Sequence, residues 1–483
     1  MQPKRVTIVI PQAIRQALID HVLASARSDG REGHAFLFGA RHRSQMLMGR
    51  LWRTPSAMYT RRSQCDLELG QNYVVSALEY ARSNGFSLID VHSHPFTKNP
   101  QFSDIDNEYG VQNAQWVAQK MREGAFPDIT WGMIVVGRSG QALARTFDYR
   151  SNNFVAAHLA SPGNYAREEN DGRADPENSA RTFDRQIRLW GLSGQRRLAQ
   201  ARVAIVGLGG LGSVMSEQLV RIGVRNLTLI DGDLIESSNV ARLSGASLRD
   251  VGLPKVAVIG RYLRRIAGKA LRLNIRQEYL TREGSAALED CDLLVGTVDR
   301  EGARLLLNEN AIRYLIPYVD VASGIKTNRA QVVRMGGHVR IVEPGSSPCL
   351  QCYQDGIDPL EAALDLMEEA DLRVRRELGY VDGTKLSPEP SVIPLNGILA
   401  SLASQEVSKL VTGFHAPHGF LGYDALANSL TIPDKIHGAP LRSCPCCGIG
   451  GLLGLATISS QTSTTAEEQA ELLALFRNAQ KDY

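Results

Sequence analysis

Two near-continuous apolar runs, Val203–Val206 and Leu227–Ile230, bracket a region that opens with Gly207-Leu208-Gly209-Gly210-Leu211-Gly212. No other feature of the 483-residue chain restricts its fold as tightly. Strands that are apolar on both faces belong to a sheet covered by helices on each side, which is the habit of parallel sheets. The glycines permit backbone N–H groups to approach an anion at a helix N-terminus. Strand, Gly-rich turn, helix and strand then recur from about 181 to 455, as in a doubly wound, Rossmann-like α/β domain.

Upstream the pattern differs. Residues 1–150 alternate short β-rich runs (Ala35–Phe38, Phe86–Val91, Trp131–Val136) with helical stretches such as Asn72–Asn84, predicting a separate α+β domain. The composition shift over 151–180, with its polar stretch NYAREENDGRADPENSA, suits a linker. Residues 456–483 read as a tail, with a Ser/Thr run followed by a short amphipathic helix pattern. A net charge of +3 without a Lys/Arg block is no footprint of nucleic-acid binding. The start of the chain reads as a short strand and a helix rather than a signal peptide, and no apolar run reaches the ~18 residues of a membrane span. The expectation is a cytoplasmic protein, whose seven cysteines stay reduced and serve as ligands, nucleophiles or core residues.

The first chemical constellation is Val91-His92-Ser93-His94-Pro95, followed by Ser103 and Asp106. His92 and His94 lie two apart at the end of an apolar strand, so both imidazoles leave the same face. Two such nitrogens and one carboxylate leave a tetrahedral zinc one open position for water, whose pKa falls to roughly 7. A second carboxylate must then take the proton, and Glu32, just before the Ala35–Phe38 run, is the best candidate. Ser103 is suited to donate a hydrogen bond to a developing oxyanion. His34 reads as structural.

His-x-His-Pro, then Ser-x-x-Asp, with an upstream Glu before a Leu/Phe-rich strand, resembles the JAB/MPN+ (JAMM) metalloprotease family over about the first 145 residues. The resemblance implies zinc ligation by His92, His94 and Asp106, Glu32 as general base, and Ser103 as oxyanion stabiliser. The gap between His94 and Ser103 is one residue longer than the usual pattern.

The glycines of the second domain, Gly207, Gly209, Gly210 and Gly212, with Asp231 placed to meet a ribose hydroxyl, fit a dehydrogenase as well as an ATP enzyme. What separates the two is the sequel. Asn239 and Arg242, then Lys255, then Asp299 at the end of a later apolar strand, form a set suited to triphosphate. Arg242 and Lys255 neutralise phosphate oxygens, and Asp299 holds Mg²⁺. The chemistry such a set serves is attack of a carboxylate on the α-phosphate, giving an acyl-adenylate and pyrophosphate.

The run from Arg181 through Asp184-Arg185-Gln186 to Gly191, and the run Leu229 to Asp233 leading to Ser238-Asn239-Val240-Ala241-Arg242, resemble the E1/MoeB/ThiF superfamily over about 181–450. That likeness implies a homodimer in which Arg185 reaches the partner subunit's ATP. Leu243 stands where a Gln is common.

Cys349-x-x-Cys352 and Cys444-x-x-Cys447 make a four-thiolate zinc site, closed and therefore structural. It is similar to the zinc site of MoeB-like enzymes. Cys446 is a spare or substitute ligand; Cys65 and Cys291 read as structural. No cysteine lies between Cys352 and Cys444 to carry the thioester of ubiquitin-type E1 enzymes. The chain then either stops at the adenylate or uses another nucleophile. Ser391 would give an oxyester, Ser387 is a weaker candidate, and a helix-cap or loop role for Ser391 is the plainer reading. A thioester on Cys446 is the remaining option.

The pairing resembles E1–JAB fusions of bacterial ubiquitin-like conjugation operons, some tied to phage defence. It implies trimming or deconjugation of a ubiquitin-like protein, ATP-dependent adenylation of its C-terminus, and an E2-like partner. Activation of a sulfur carrier and a non-catalytic nucleotide-binding scaffold are the alternatives.

Overall fold

The protein, here a computed structural model, is described for residues 5–28, 30–63, 66–124, 129–163, 181–329, 331–353, 355–367, 390–433 and 440–456. It divides into two compact units.

The first unit opens with β1 (Thr7–Val9), α1 (Gln12–Ser28), β2 (His34–His42), β3 (Gln45–Arg53), β4 (Tyr59–Arg62), β5 (Leu67–Leu69) and α2 (Gln71–Asn84). It continues through β6 (Ser87–His94), α3 (Asp104–Arg122), β7 (Trp131–Gly137), β8 (Ala142–Asp148) and β9 (Asn153–Ala160). Seven strands close a barrel in the order β1-β3-β2-β6-β7-β8-β9, with β9 returning to pair with β1. Alternation along β2 explains why it is buried on both sides. Ala35 and Leu37 join α1 residues Leu18 and Val22 in one cluster. Phe36 and Phe38 join Tyr73, Ala77, Ala114 and Val117 of α2 and α3 in another.

The expected linker starts too early. Residues 153–160 form β9, paired on both edges, and the polar composition that motivates a linker begins only at Asn164. The far boundary also moves. Residues 452–456 belong to the first unit, where Gly454 O accepts the Ala40 N–H (3.1 Å) and Leu453 O accepts from Arg50 (2.8 Å). The tail beyond 456, Cys65 and Ser387 lie outside the described residues.

The second unit contains α4 (Asp184–Gln200), β10 (Arg202–Val206), α5 (Gly210–Ile222), β11 (Asn226–Ile230), α6 (Lys255–Ala267), β12 (Arg272–Arg276) and β13 (Leu293–Gly296). After these come α7 (Glu301–Tyr314), β14 (Tyr318–Asn328), β15 (Gln331–Val342), α8 (Pro359–Asp365), α9 (Ile393–Thr412), β16 (Phe420–Asp424) and β17 (Ser429–Thr431). The eight-stranded sheet runs β12-β11-β10-β13-β14-β15-β16-β17. Its first five strands are parallel and the rest antiparallel. Strand order reverses between β10 and β13, and crevices at such switch points are where ligands bind in open α/β sheets. Among the described residues, no helix is long and apolar enough to cross a membrane.

Candidate functional sites

In the first unit, β2 and β6 run antiparallel with His34 opposite His92. One face of β6 therefore carries Asp90, His92 and His94 in succession, and all eight residues of the strand are buried. Glu32 precedes β2 by two residues, which brings its Oε1 to 4.0 Å from His94 Nε2. Asp106 arrives from α3. Its Oδ1 is 3.0 Å from His92 Nε2 and its Oδ2 is 3.5 Å from His94 Nε2. Ligand atoms of His92, His94 and Asp106 all lie within 4.8 Å of one another, close enough to share one cation. His92 Nε2 is buried and makes no well-aligned hydrogen bond, although Asp106 Oδ1 faces it, an arrangement that suits a nitrogen directed at a metal.

The Ser-x-x-Asp spacing has a local cause that the sequence displayed and motif reading passed over. Ser103 is the N-cap of α3, its Oγ accepting from Asp106 N (3.1 Å), while Asp106 Oδ2 accepts from Ser103 N (2.6 Å). This reciprocal capping box aims Asp106 back over the first turn. Arg145, on β8, supports the same turn. Its guanidinium sits 3.8 and 4.1 Å from the ring centroids of Phe102 and Phe154, donates to Asp106 O (3.0 Å) and reaches the Asn107 side chain.

Electrostatics follow from this crowding. Burial pushes the Glu32 carboxyl up to about 7. Burial works against charge on His92, but Asp106 and then Asp90 outweigh it and hold the imidazole up at about 10. Burial likewise opposes ionisation of Asp106, yet His92 and His94 keep it far below the usual carboxylate range.

In the second unit, β10 leads into Gly207, whose φ of +90° suits glycine. A Cβ at Gly209 would meet nothing within 4 Å, so the backbone at the N-terminus of α5 is open to a ligand. Asp231, at the end of β11, accepts N–H groups from Leu208 (2.6 Å) and Asp233 (2.8 Å), joining the glycine turn to the next loop. Burial raises its pKa. Asn239 shapes the following turn through the N–H of Glu236 (3.2 Å). The carbonyl of Arg242 lies beside Gly210. Leu243, at the position where Gln is common, packs with Ile235 and Val258.

Lys255 begins α6, and its Nζ is 2.6 Å from Asp233 Oδ2. Asp233 also accepts from the Tyr279 hydroxyl (2.6 Å). Against the effect of burial, these two donors hold its carboxyl down. Tyr279 and the role of Asp233 escaped the sequence, because Tyr279 lies 46 residues away. Asp299 is exposed in the loop after β13. The ends of β10, β11 and β13 are neighbours, so the glycine turn, Asp231 and Asp299 share one edge of the sheet. Arg185, in the first turn of α4, is exposed.

Ser391 is exposed, and its Oγ accepts from Asn396 Nδ2 (3.2 Å). It does not cap the helix, since the N-cap of α9 is Val392. Asn396 is buried against Gly210 and accepts from Ser323 (3.0 Å), which ties Ser391 to the glycine turn.

Cys349, Cys352, Cys444 and Cys447 converge. The Cys349–Cys444 and Cys352–Cys447 sulfurs are 3.6 and 3.3 Å apart, and Cys349–Cys352 4.0 Å. A tetrahedral zinc with Zn–S of about 2.3 Å requires about 3.8 Å between sulfurs. Cys446 stands outside this quartet, buried with its Sγ 3.4 Å from Asn308 Nδ2. Cys291 is buried in the core, as expected.

Comparison with known proteins bears on the second unit. The family model described as the ThiF family matches residues 183–446. The chain is 27% identical over 302 residues to the sulfur carrier protein ThiS adenylyltransferase of Bacillus subtilis (strain 168), covering 59% of this chain and 80% of that protein. It is 30% identical over 248 residues to the molybdopterin-synthase adenylyltransferase of Escherichia coli (strain K12), covering 50% and 88%. Identity to the ubiquitin-like modifier-activating enzyme 5 of Gallus gallus is 29% over 236 residues, covering 46% and 54%.

Proposed function

Because the chain belongs to the ThiF family, we propose that its second unit adenylates the C-terminal carboxylate of a small ubiquitin-like or sulfur-carrier protein with ATP. The observation that carries this is the open backbone at Gly209, on the same sheet edge as Asp231 and Asp299 and joined through Asp233 to Lys255. The carboxylate forms a bond to the α-phosphorus of ATP, the bond to the β-phosphate oxygen breaks, and pyrophosphate leaves. Asp299 would hold Mg²⁺, which would supply positive charge against the phosphates. Arg242 and Lys255 neutralise phosphate oxygens, with Lys255 exchanging Asp233 for the nucleotide. Exposed Arg185 serves a partner protomer's nucleotide in a homodimer.

The first unit, in the same reading, is a JAMM zinc isopeptidase that trims or deconjugates the carrier. His92, His94 and Asp106 would hold a zinc ion, which when bound would supply an activated water and a polarised carbonyl. Glu32, with a pKa near neutrality, takes the proton and returns it to the leaving amine. The Ser103 hydroxyl keeps its proton free within the capping box and donates it to the oxyanion. The cysteine quartet would hold a structural zinc. An E2-like partner and a role in phage defence belong to the same proposal, and Ser391 is the candidate acceptor if the acyl group moves from the adenylate to the enzyme.

Sulfur-carrier activation is the second reading, favoured by the absence of any cysteine between Cys352 and Cys444. Intact mass separates the two. A carrier precursor that shortens without ATP, then gains an adenylate or an enzyme adduct with Mg-ATP, supports the conjugation reading. A thiocarboxylate formed only with a sulfur donor supports the second. Failure of ATP–pyrophosphate exchange with every such carrier overturns both.

A further inference from the structure

Asp90 is a carboxylate with no evident structural use. It is 2% exposed, on the β6 face packed against the Phe36 and Phe38 cluster, where an apolar side chain would serve the core better. Its Oδ2 lies 3.4 Å from His34 Nε2 and its Oδ1 3.7 Å from His92 Nδ1. Asp90 Oδ2, His34 Nε2 and His92 Nε2 are all buried without an aligned hydrogen-bond partner. Three open polar atoms in one line demand a reason.

The other end of the line is well bonded. His34 Nδ1 is 2.7 Å from Thr54 Oγ1, which in turn accepts from the Tyr73 hydroxyl (3.3 Å). One assignment of the protons joins the whole row. In it Tyr73 donates to Thr54, Thr54 donates to His34 Nδ1, and His34 carries its proton on Nε2, the nitrogen that faces Asp90. A carboxylate approached from that side turns its second oxygen toward His92 Nδ1, 3.7 Å away, where a small closure would let it accept the Nδ1–H. With Nδ1 protonated, the lone pair of His92 lies on Nε2, the atom that faces Asp106 at 3.0 Å.

We propose that Asp90, backed by His34 and Thr54, is the positioning carboxylate that fixes the tautomer and ring orientation of His92 toward a bound cation. The inference rests on the zinc reading of the first unit. Outer carboxylates of this kind orient metal-bound imidazoles and raise their basicity, and their loss typically weakens metal affinity about 10- to 100-fold. His34, which reads from sequence as structural, thereby becomes part of the site's support.

The test is zinc affinity of the full chain, titrated against a chromophoric chelator. Asp106→Ala identifies which class of zinc belongs to the first unit. Asp90→Asn and His34→Phe are expected to weaken that class by about 10-fold or more, leaving the cysteine class unchanged. The d–d bands of Co²⁺ in the first unit shift in the same variants. Equal affinity and spectrum in wild type, Asp90→Asn and His34→Phe overturn the proposal while leaving the zinc site standing. No difference between wild type and Asp106→Ala overturns the zinc reading itself. Should either substitution unfold the metal-free chain by circular dichroism, Thr54→Val, nearly isosteric, decides the matter: unchanged zinc affinity then overturns the proposal.

Discussion

At the scale of single residues, Asp299 and His21 show how differently two ionisable groups act. Asp299 is exposed and free to meet a cation, so Asp299→Ala should leave folding intact while lowering ATP–pyrophosphate exchange by about 100-fold or more. An exchange rate close to wild type would remove it from the Mg²⁺ role. His21 of α1 lies with Nε2 3.1 Å from the His34 carbonyl, and burial, with the charge of Arg53, pulls its pKa down from 6.5 to about 4. The folded state prefers the neutral ring. Its contribution is therefore complete above about pH 6.5 and is lost as pH falls toward 4, amounting to at most about 3 kcal/mol. Denaturant melts between pH 4 and 7 should show this slope, and His21→Gln should flatten it.

At the scale of elements, α3 is a support whose first turn carries candidate site residues. The capping box makes Ser103 both a helix cap and a candidate catalytic donor, and substitutions separate the roles. Ser103→Asp keeps a cap acceptor but has no hydroxyl, so stability should hold while peptide hydrolysis falls. Ser103→Ala should lose both, with about 1 kcal/mol of stability gone. Equal hydrolysis by wild type and Ser103→Asp would deny the serine its donor role. In the second unit, α9 performs the comparable task. Its Asn396 sits between the glycine turn, Ser323 and Ser391, an arrangement that no helical periodicity announces.

At the scale of the whole molecule, exposure of Arg185 makes a prediction about assembly. Arg185→Ala and Lys255→Ala should each abolish adenylation alone. Mixed and allowed to exchange subunits, they should regain about one quarter of wild-type exchange, since half of the dimers are mixed and one of their two sites is whole. No recovery in a demonstrated mixed dimer would place Arg185 outside the partner's site.

The candidate residues of each site were legible locally. His92-x-His94, Ser103-x-x-Asp106 and the glycine turn each stand out within a dozen residues, while the two cysteine pairs, 95 residues apart, stand out only one pair at a time. The strands at Val203–Val206 and Leu227–Ile230 were equally plain, because burial on both faces leaves an unbroken apolar run. Closure of the barrel by β9 was not legible, nor the return of Leu453 and Gly454 to β2 and β3. The same holds for the support of His92 by Asp90, His34 and Thr54, and of Lys255 by Asp233 and Tyr279. Residue type and periodicity report what a segment needs from its surroundings. Which distant segment meets that need is a matter of register and crossing geometry. A carboxylate two residues before a histidine looks like any strand residue until the opposite strand sets another histidine beside it. By itself, the amino-acid sequence determined which residues are candidates for chemistry; only the tertiary structure decided which residues stand behind them.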